Sequence, residues 1–344
     1  MHVVQLVMNF CDHYRILHEV FDVLKRKVEA MEDIENDCVL FMDEMGIAQG
    51  YEHDRSLDYL FGSTTLPDTP DNVANHAFVF MVGGLNKRYI QVIAYHFTGR
   101  SVDGRLLKGV FNLIEMLHSI SLRVLVVTSD MGSANRAVWR LLGLSSHRNS
   151  ETVSSVPHPH LEGRLLHFMA DPAHVIKNLR AQLLRVSCFY LSNETVNQQG
   201  LPGNKEVLEH DSDNDLKIAN GLSAVHVSTG HFTKMKVSIP VQLFRDAPAG
   251  IRYIIQKGKL PAKAETTAWF FELLWRWYSL MSSRHPVFAL SKIDVTKYKE
   301  AIATLHLAQH TLRHVKMGTA HWKPSQAGLL ISTSVVLGLA EELL

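Results

Sequence analysis

The chain has 344 residues, 46% of them hydrophobic, and a formal net charge of +1 at pH 7. This length suits about two domains with sizeable cores. No run of roughly 18 apolar residues predicts a membrane span, and the near-neutral charge gives no support to a broad basic nucleic-acid surface. The three cysteines form no CxxC pair that would indicate zinc. The first residues lack the features of a signal peptide, so an intracellular protein without a membrane partner is predicted.

The first half of the chain predicts an α/β arrangement that follows a helix over about 12–31. Apolar runs predict strands, and apolar residues at helical spacing predict helices. The predicted strands lie at about 38–43, within 51–61, in two antiparallel segments over 77–97, at 124–129 and at 165–169. The predicted helices lie at about 103–120, 132–142 and 174–186.

The second half of the chain predicts mainly helices. A polar, linker-like stretch runs from about 192 to 221. The helices predicted beyond it lie at about 233–257, 265–283, 294–315 and 324–344.

Two of the predicted strands end on an aspartate, Asp43 after the run at 38–42 and Asp130 after the run at 124–129. Open α/β sheets bind ligands at the carboxyl ends of their strands, and carboxylate oxygens suit Mg²⁺ or Mn²⁺. Asp43 and Asp130 are therefore candidate metal-binding and catalytic residues. The open alternative is structural, because Asp also favours strand ends and helix N-caps.

The order of the elements predicts a mixed sheet. Antiparallel strands come first, then a helix, then a strand beside the first one, which is the order of an α/β ribonuclease H-like fold. The helix at 103–120 would be the crossover that lets the strand of Asp130 pair parallel to the strand of Asp43. The predicted domains are a helical segment at 1–35, the ribonuclease H-like part at 36–186 and a mainly α-helical insertion at 187–344.

Other polar residues near these segments have simpler interpretations. Glu44 should face away from the side of Asp43 if the strand continues. Asp171 precedes a proline and predicts a helix N-cap. The segment 132–135 could bind a phosphate through amides at a helix start. The histidines of the proline-rich loop at 158–160 are predicted to be solvated.

Three longer motifs resemble the P element transposase family, which includes THAP-domain-containing transposase relatives. They are Phe41-Met42-Asp43-Glu44-Met45, the segment 127–135 and the segment 171–180. Their order and spacing also match the family, and the resemblance runs from about residue 12 to the end.

The resemblance implies a ribonuclease H-like domain that cuts and joins DNA with Mg²⁺, interrupted by a helical GTP-binding insertion. Asp43 and Asp130 would be the first two catalytic carboxylates. Lys234, Lys236 and Ser282 would be the residues nearest to GTP. Transposon-end DNA as partner, a possible homo-oligomer and a nuclear location are implied in the same way.

The chain also departs from the family pattern. Segment 278–283 lacks the aspartate that would read guanine, and the motif of the last catalytic glutamate does not occur before Leu344. The zinc-dependent THAP domain is not found either. The prediction is a P element-like transposase fragment that binds metal weakly and performs no strand transfer alone. The alternative is a domesticated, non-enzymatic nuclear module for DNA or protein interaction.

Overall fold

The computed structural model describes residues 16–56, 58–65, 72–99, 105–186, 188–202, 205–207, 223–227, 236–283, 290–318 and 322–344. The chain divides into two compact units. The first, here called the sheet unit, comprises Met1–Leu144 and Ser155–Met169. The second, here called the helical unit, comprises Ser145–Ser154 and Ala170–Leu344.

The sheet unit is built around a six-stranded sheet. Its strands are β1 (Asp37–Gly46), β2 (Glu52–Asp54), β3 (Tyr59–Phe61), β4 (His76–Gly84), β5 (Ile90–Thr98), β6 (Arg123–Ser129), β7 (Ser155–Pro157) and β8 (Leu165–Ala170), whose last residue is assigned to the helical unit. Its helices are α1 (His18–Val28), α2 (Arg105–Ser119) and α3 (Ser133–Leu141).

The six-stranded sheet is mixed, as predicted, with strand order β5-β4-β1-β6-β8-β7. Strand β4 pairs antiparallel with both β1 and β5, and β1 pairs parallel with β6. The crossover between β1 and β6 includes α2, whose Ile114 and Leu117 are fully buried. The predicted parallel pairing of the two aspartate-bearing strands is therefore confirmed.

The region predicted to hold one strand within 51–61 holds two short ones instead. Strands β2 and β3 pair antiparallel around a turn. In that turn the Asp54 carboxylate accepts hydrogen bonds from the backbone N–H and the hydroxyl of Ser56, at 2.8 and 2.6 Å. Asp58 then has a positive φ of 45°. This local bonding is typical of aspartate in turns and divides the strand.

The prediction that the loop at 158–160 is solvated is wrong for His158, which is only 7% exposed. Its Nδ1 accepts hydrogen bonds from the backbone N–H groups of His160 and Leu161, at 3.1 and 3.0 Å. Its Nε2–H must then donate to the carbonyl of Val124, at 3.0 Å. Burial lowers the pKa of His158 below its ordinary 6.5, although the bond to Val124 opposes this.

The helical unit contains most of the predicted helices. They are α4 (Pro172–Val186), α5 (Asn193–Gln198), α6 (Ala224–Val227), α7 (Ser238–Gln256), α8 (Glu265–Ser282), α9 (Val295–His314) and α10 (Pro324–Leu343). A small antiparallel sheet joins β9 (Cys188–Tyr190) to β10 (Lys205–Val207) and β11 (Lys316–Met317). Helix α4 packs against α7, α8 and α10, so it belongs to the helical unit. The domain boundary predicted from the sequence lay at residue 186, after this helix.

Helix α10 is a core helix that carries several buried polar side chains. Its length and mean hydropathy of 1.2 would also fit a membrane span, but half of the apolar window is buried within the protein. Several hydroxyl and amide groups along it are buried and hydrogen-bonded. Ser325 donates to Gln182 at 2.7 Å, and Ser332 donates to the carbonyl of Ala170 at 2.7 Å. Such bonds offset the cost of burying polar groups.

Candidate metal centre

Asp43 and Asp130 follow the last paired residues of two adjacent parallel strands. In the register of β1 and β6, Met42 pairs with Ser129. Strand β6 ends there, while β1 continues to Gly46 and pairs only with β4, where Asp43 lies opposite Val79. The structure therefore brings together the two aspartates that the sequence singled out.

The two carboxylates lie where the sheet leaves the core. Strand β1 is buried up to Met42 apart from the half-buried Phe41, and every residue from Asp43 to Gly46 is exposed. Asp130 is half-buried, directly after the buried Ser129. This is the edge at which open α/β sheets bind their ligands.

Asp130 is oriented by two donors from the start of α3. Its Oδ1 accepts a hydrogen bond from the backbone N–H of Gly132 at 2.9 Å and from Nδ2 of Asn135 at 2.6 Å. A Cβ on Gly132 would come within 2.9 Å of the same Oδ1, so glycine permits this approach. Because both donors meet one oxygen, Oδ2 is left without a hydrogen bond among the described residues.

Asn135 makes this contact at an energetic cost. It is 3% exposed, and its Oδ1 is buried without a hydrogen-bond partner among the described residues. A buried acceptor of this kind destabilises a fold by about 1–3 kcal/mol. The amide nitrogen must face Asp130, because two oxygens would repel each other. The cost is consistent with a residue retained to hold the carboxylate.

Asp43 is held more loosely. Its Oδ1 accepts only the backbone N–H of Glu44, at 2.9 Å. Its other oxygen has no hydrogen bond to the described residues. Each aspartate thus makes a local backbone contact, as expected if its role were structural. Each also keeps one oxygen that can bind a ligand.

The donor set fits two protein ligands of a hard divalent cation. Mg²⁺ is often bound through one or two carboxylates, with water and substrate oxygens completing the shell. Among the described residues no group of three or more His, Cys, Asp or Glu side chains could hold a metal. Asp43 and Asp130 therefore fit as a partial metal site, with their free oxygens as the ligands.

The predicted GTP residues belong to the helical unit. Lys234 lies outside the described residues. Lys236 is exposed, just before α7 begins. Ser282 is exposed on the last turn of α8 and donates to the carbonyl of Tyr278 at 2.7 Å. Their roles toward GTP stay predictions.

Asp171 is the N-cap that the sequence predicted, at the start of α4. Its Oδ1 accepts the N–H of Ala173 at 2.9 Å, and its Oδ2 pairs with Nδ1 of His174 at 2.5 Å. Burial acts to raise the pKa of Asp171, but the hydrogen bonds of His174 and Ala173 outweigh it and hold the pKa below its usual range. Asp171 therefore stays ionised.

The sequence pointed to Asn135 only as part of segment 132–135, and its contact with Asp130 was not predicted. The signal was available, because an aspartate that is followed by Gly132 and the start of a helix places residue 135 on the first turn. The first turn of a helix lies directly above the preceding loop. A side-chain donor there can reach back to the aspartate.

Comparison with known proteins agrees with this geometry. The TNP-like, RNase H N-terminal domain family matches residues 14–143. The chain is 27% identical to Transposable element P transposase of Drosophila melanogaster over 74% of this chain and 31% of that protein. It is 23% identical to DNA transposase THAP9 of Homo sapiens over 77% of this chain and 30% of that protein. The chain thus spans about a third of the length of these curated relatives.

A solved structure shares the fold over almost the whole chain. The Drosophila P element transposase strand transfer complex superposes with a TM-score of 0.74 at 21% identity, covering 99% of this chain and 73% of that one. The fold and the family match define a ribonuclease H-like protein, and ribonuclease H-like transposases generally use divalent metal ions. More narrowly, the chain resembles the P element transposase and DNA transposase THAP9 over about three quarters of its length.

Proposed function

We propose that the sheet unit is the first part of a DNA transposase catalytic domain, which transfers phosphoryl groups on DNA with Mg²⁺ or Mn²⁺. The observation that carries this proposal is the placement of Asp43 and Asp130 after the paired residues Met42 and Ser129 of two parallel strands. The similarity to two transposases supports the same reaction class.

In this proposal Asp43 and Asp130 hold the metal through the oxygens that their local hydrogen bonds leave open. A metal bound there would stabilise charge on the attacking and leaving oxygens of the phosphodiester. Gly132 and Asn135 fix the Asp130 carboxylate before the metal arrives, which avoids reorganisation at the moment of reaction. Asp43 is restrained mainly by its strand.

A complete two-metal site needs further oxygen ligands. The described residues offer no third metal-binding side chain grouped with the pair. We therefore propose that the described residues form an incomplete site and that these 344 residues alone perform no strand transfer, since the sequence also lacks the motif of the last catalytic glutamate. This observation also favours the second candidate function, a non-enzymatic nuclear module that binds DNA or protein.

The experiment is an assay of the purified chain with transposon-end DNA and Mn²⁺, alongside Mn²⁺ titration of the wild type and of Asp43→Asn. Metal binding that depends on Asp43 without cleavage is the expected result. Robust cleavage by the chain alone would contradict the proposed incompleteness. No Asp43-dependent metal binding would favour the non-enzymatic module.

GTP is the second cofactor in the proposal and belongs to the helical unit. The exposure of Lys236 and Ser282 supports it, because both side chains are accessible. Titration with a fluorescent GTP analogue tests it, with Lys236→Ala expected to weaken binding and ATP as the competitor. Because segment 278–283 lacks the aspartate that would read guanine, ATP should compete about as well as GTP, and much weaker competition by ATP would contradict this expectation.

A further inference from the structure

A short hairpin, Ser145–Ser154, belongs to the helical unit, although it lies between two elements of the sheet unit in the chain. Ser145 and Val153 exchange backbone hydrogen bonds, at 3.0 and 2.8 Å. The hydroxyl groups of Ser146 and Thr152 lie 3.0 Å apart one step further along. One backbone bridge and one hydroxyl contact therefore close the loop that carries the tip of this hairpin, residues 147–150.

Arg313 of α9 fixes the hairpin tip. Its Nη1 donates to the carbonyls of His147 and Ser150, at 3.0 and 2.6 Å, and its Nη2 donates to the hydroxyl of Thr152 at 3.0 Å. All three acceptors are neutral, so these bonds leave the positive charge of the guanidinium uncompensated. Within the described residues Arg313 makes no ion pair.

A pocket of about 480 Å³ opens at this tip. It is lined by His147, Arg148, Asn149, Ser150 and Trp322. Arg148 is tethered by a bond from its Nη2 to the carbonyl of Val315, at 3.1 Å. Pockets of this size accept small ligands such as a nucleotide.

The chemistry of the lining selects the ligand. Trp322 offers an aromatic face on which a base can stack. Arg148 offers a planar guanidinium suited to phosphate, and Asn149 offers an amide that can both donate to and accept from a base edge. The lining has no carboxylate, and Arg313 adds positive charge behind the tip.

We propose that this pocket binds one nucleotide of a single DNA strand, with its base on Trp322 and its phosphate toward Arg148. A single strand fits better than a duplex, because stacking on a side chain needs a base face that a duplex covers with neighbouring bases. The proposal rests on the DNA-directed function proposed above. It assigns to the helical unit a contact with an unpaired strand.

The test is fluorescence anisotropy of the full chain with fluorescein-labelled dT20 and with a 20-base-pair duplex, in EDTA. Without metal, the result does not depend on the Asp43–Asp130 site. Trp322→Ala should weaken dT20 binding about 5- to 150-fold, the effect of losing one stacked base. Trp322→Phe should restore most of the affinity, and duplex binding should change much less.

Arg148→Ala should lower the slope of log affinity against log salt by about 0.7, the effect of one phosphate contact on a single strand. Arg185→Ala is the matched control, because Arg185 is exposed on α4 and does not line the pocket. Equal slopes for Arg148→Ala and wild type, or equal losses for dT20 and duplex with Trp322→Ala, would overturn the proposal.

Ultraviolet crosslinking of dT20 to the wild-type protein keeps the test valid if Trp322→Ala fails to fold. Mass spectrometry should find the crosslink at Trp322 or within 147–150, and a crosslink found only elsewhere would overturn the proposal.

Discussion

The sheet unit and the helical unit use polar side chains in opposite ways. In the sheet unit, Asp43 and Asp130 lie at the edge of the core, and each has one oxygen without a described partner. In the helical unit, the polar groups of α10 are buried and bonded internally, as when Trp277 Nε1 donates to Thr333 at 2.8 Å. The first arrangement leaves capacity for a ligand, whereas the second uses polar groups to fix how helices pack.

The difference shows which substitutions should affect function and which should affect stability. A carboxylate at a strand end contributes little packing, so its loss should mainly remove binding. A buried hydrogen-bonded side chain binds nothing external, so its loss should mainly lower the free energy of unfolding.

The largest effect is expected at Trp277, which is fully buried in α8. Trp277→Ala should lower the free energy of unfolding by about 3–5 kcal/mol, through lost burial and a cavity. Urea unfolding followed by circular dichroism measures it. Trp269→Ala, in the same helix but only half-buried, is the control and should cost less. Equal losses would show that burial in α8 does not set stability.

The second effect is on metal binding. At 100 times its dissociation constant, Mn²⁺ should stabilise the wild type by about 2.7 kcal/mol. Asp43→Asn and Asp130→Asn should lose most of that gain, measured as the shift in Tm with Mn²⁺. Glu44→Gln removes the neighbouring exposed carboxylate and should retain it. If Glu44→Gln lost as much Mn²⁺-dependent stabilisation as Asp43→Asn, Mn²⁺ would be attracted nonspecifically by the negative charge of this edge.

A smaller change in metal affinity is expected at Asn135, which touches Asp130 but not the proposed metal. Residues that orient a ligand typically alter metal affinity about 10- to 100-fold. Isothermal titration with Mn²⁺ should show a change of this size for Asn135→Ala. Ser133→Ala, an exposed position on the same first turn, is the control. Unchanged affinity for Asn135→Ala would make the 2.6 Å contact purely structural.

The smallest effect is a pH dependence from His158. Because burial lowers its pKa in the folded protein, the unfolded chain takes up the proton more readily. The His158 contribution to stability is therefore complete above pH 6.5 and is lost as pH falls below 6.5 toward the lowered folded pKa.

Urea unfolding between pH 5 and pH 8 measures this dependence. His158→Gln should flatten it, and His147→Gln, at an exposed position, should not. The neighbouring groups His118, His160 and Arg164 also disfavour a charged His158. An unchanged pH profile for His158→Gln would assign the dependence to those neighbours.

The sequence predicted most of the sheet unit, because its signals are local. Unbroken apolar runs marked β1 and β6, and the intervening helix α2 indicated their parallel pairing. The small sheet of β9, β10 and β11 was not predicted. Its strands have two or three residues each, and β9 pairs with β11 across more than a hundred residues of chain. Runs that short carry no periodicity.

The two aspartates of the candidate site were also predictable because their signals are local. The residues that surround them in space were not. Asp43 and Asp130 each end a recognisable run, whereas the residue pattern places Asn135 on the first turn of α3 without fixing the direction of its side chain. The burial of His158 depends on β6, 34 residues away. The pocket at residues 147–150 needs Trp322 and Arg313, which are distant in sequence.

The hairpin at Ser145–Ser154 also sets an order of events during synthesis. Its tip leaves the ribosome 166 residues ahead of Arg313, the residue that fixes it. At about 5–20 residues per second, the tip waits about 8–33 s for its partner. During that interval β7 and β8 emerge and can join the sheet, so the nascent chain carries a finished strand pair beside an unanchored tip.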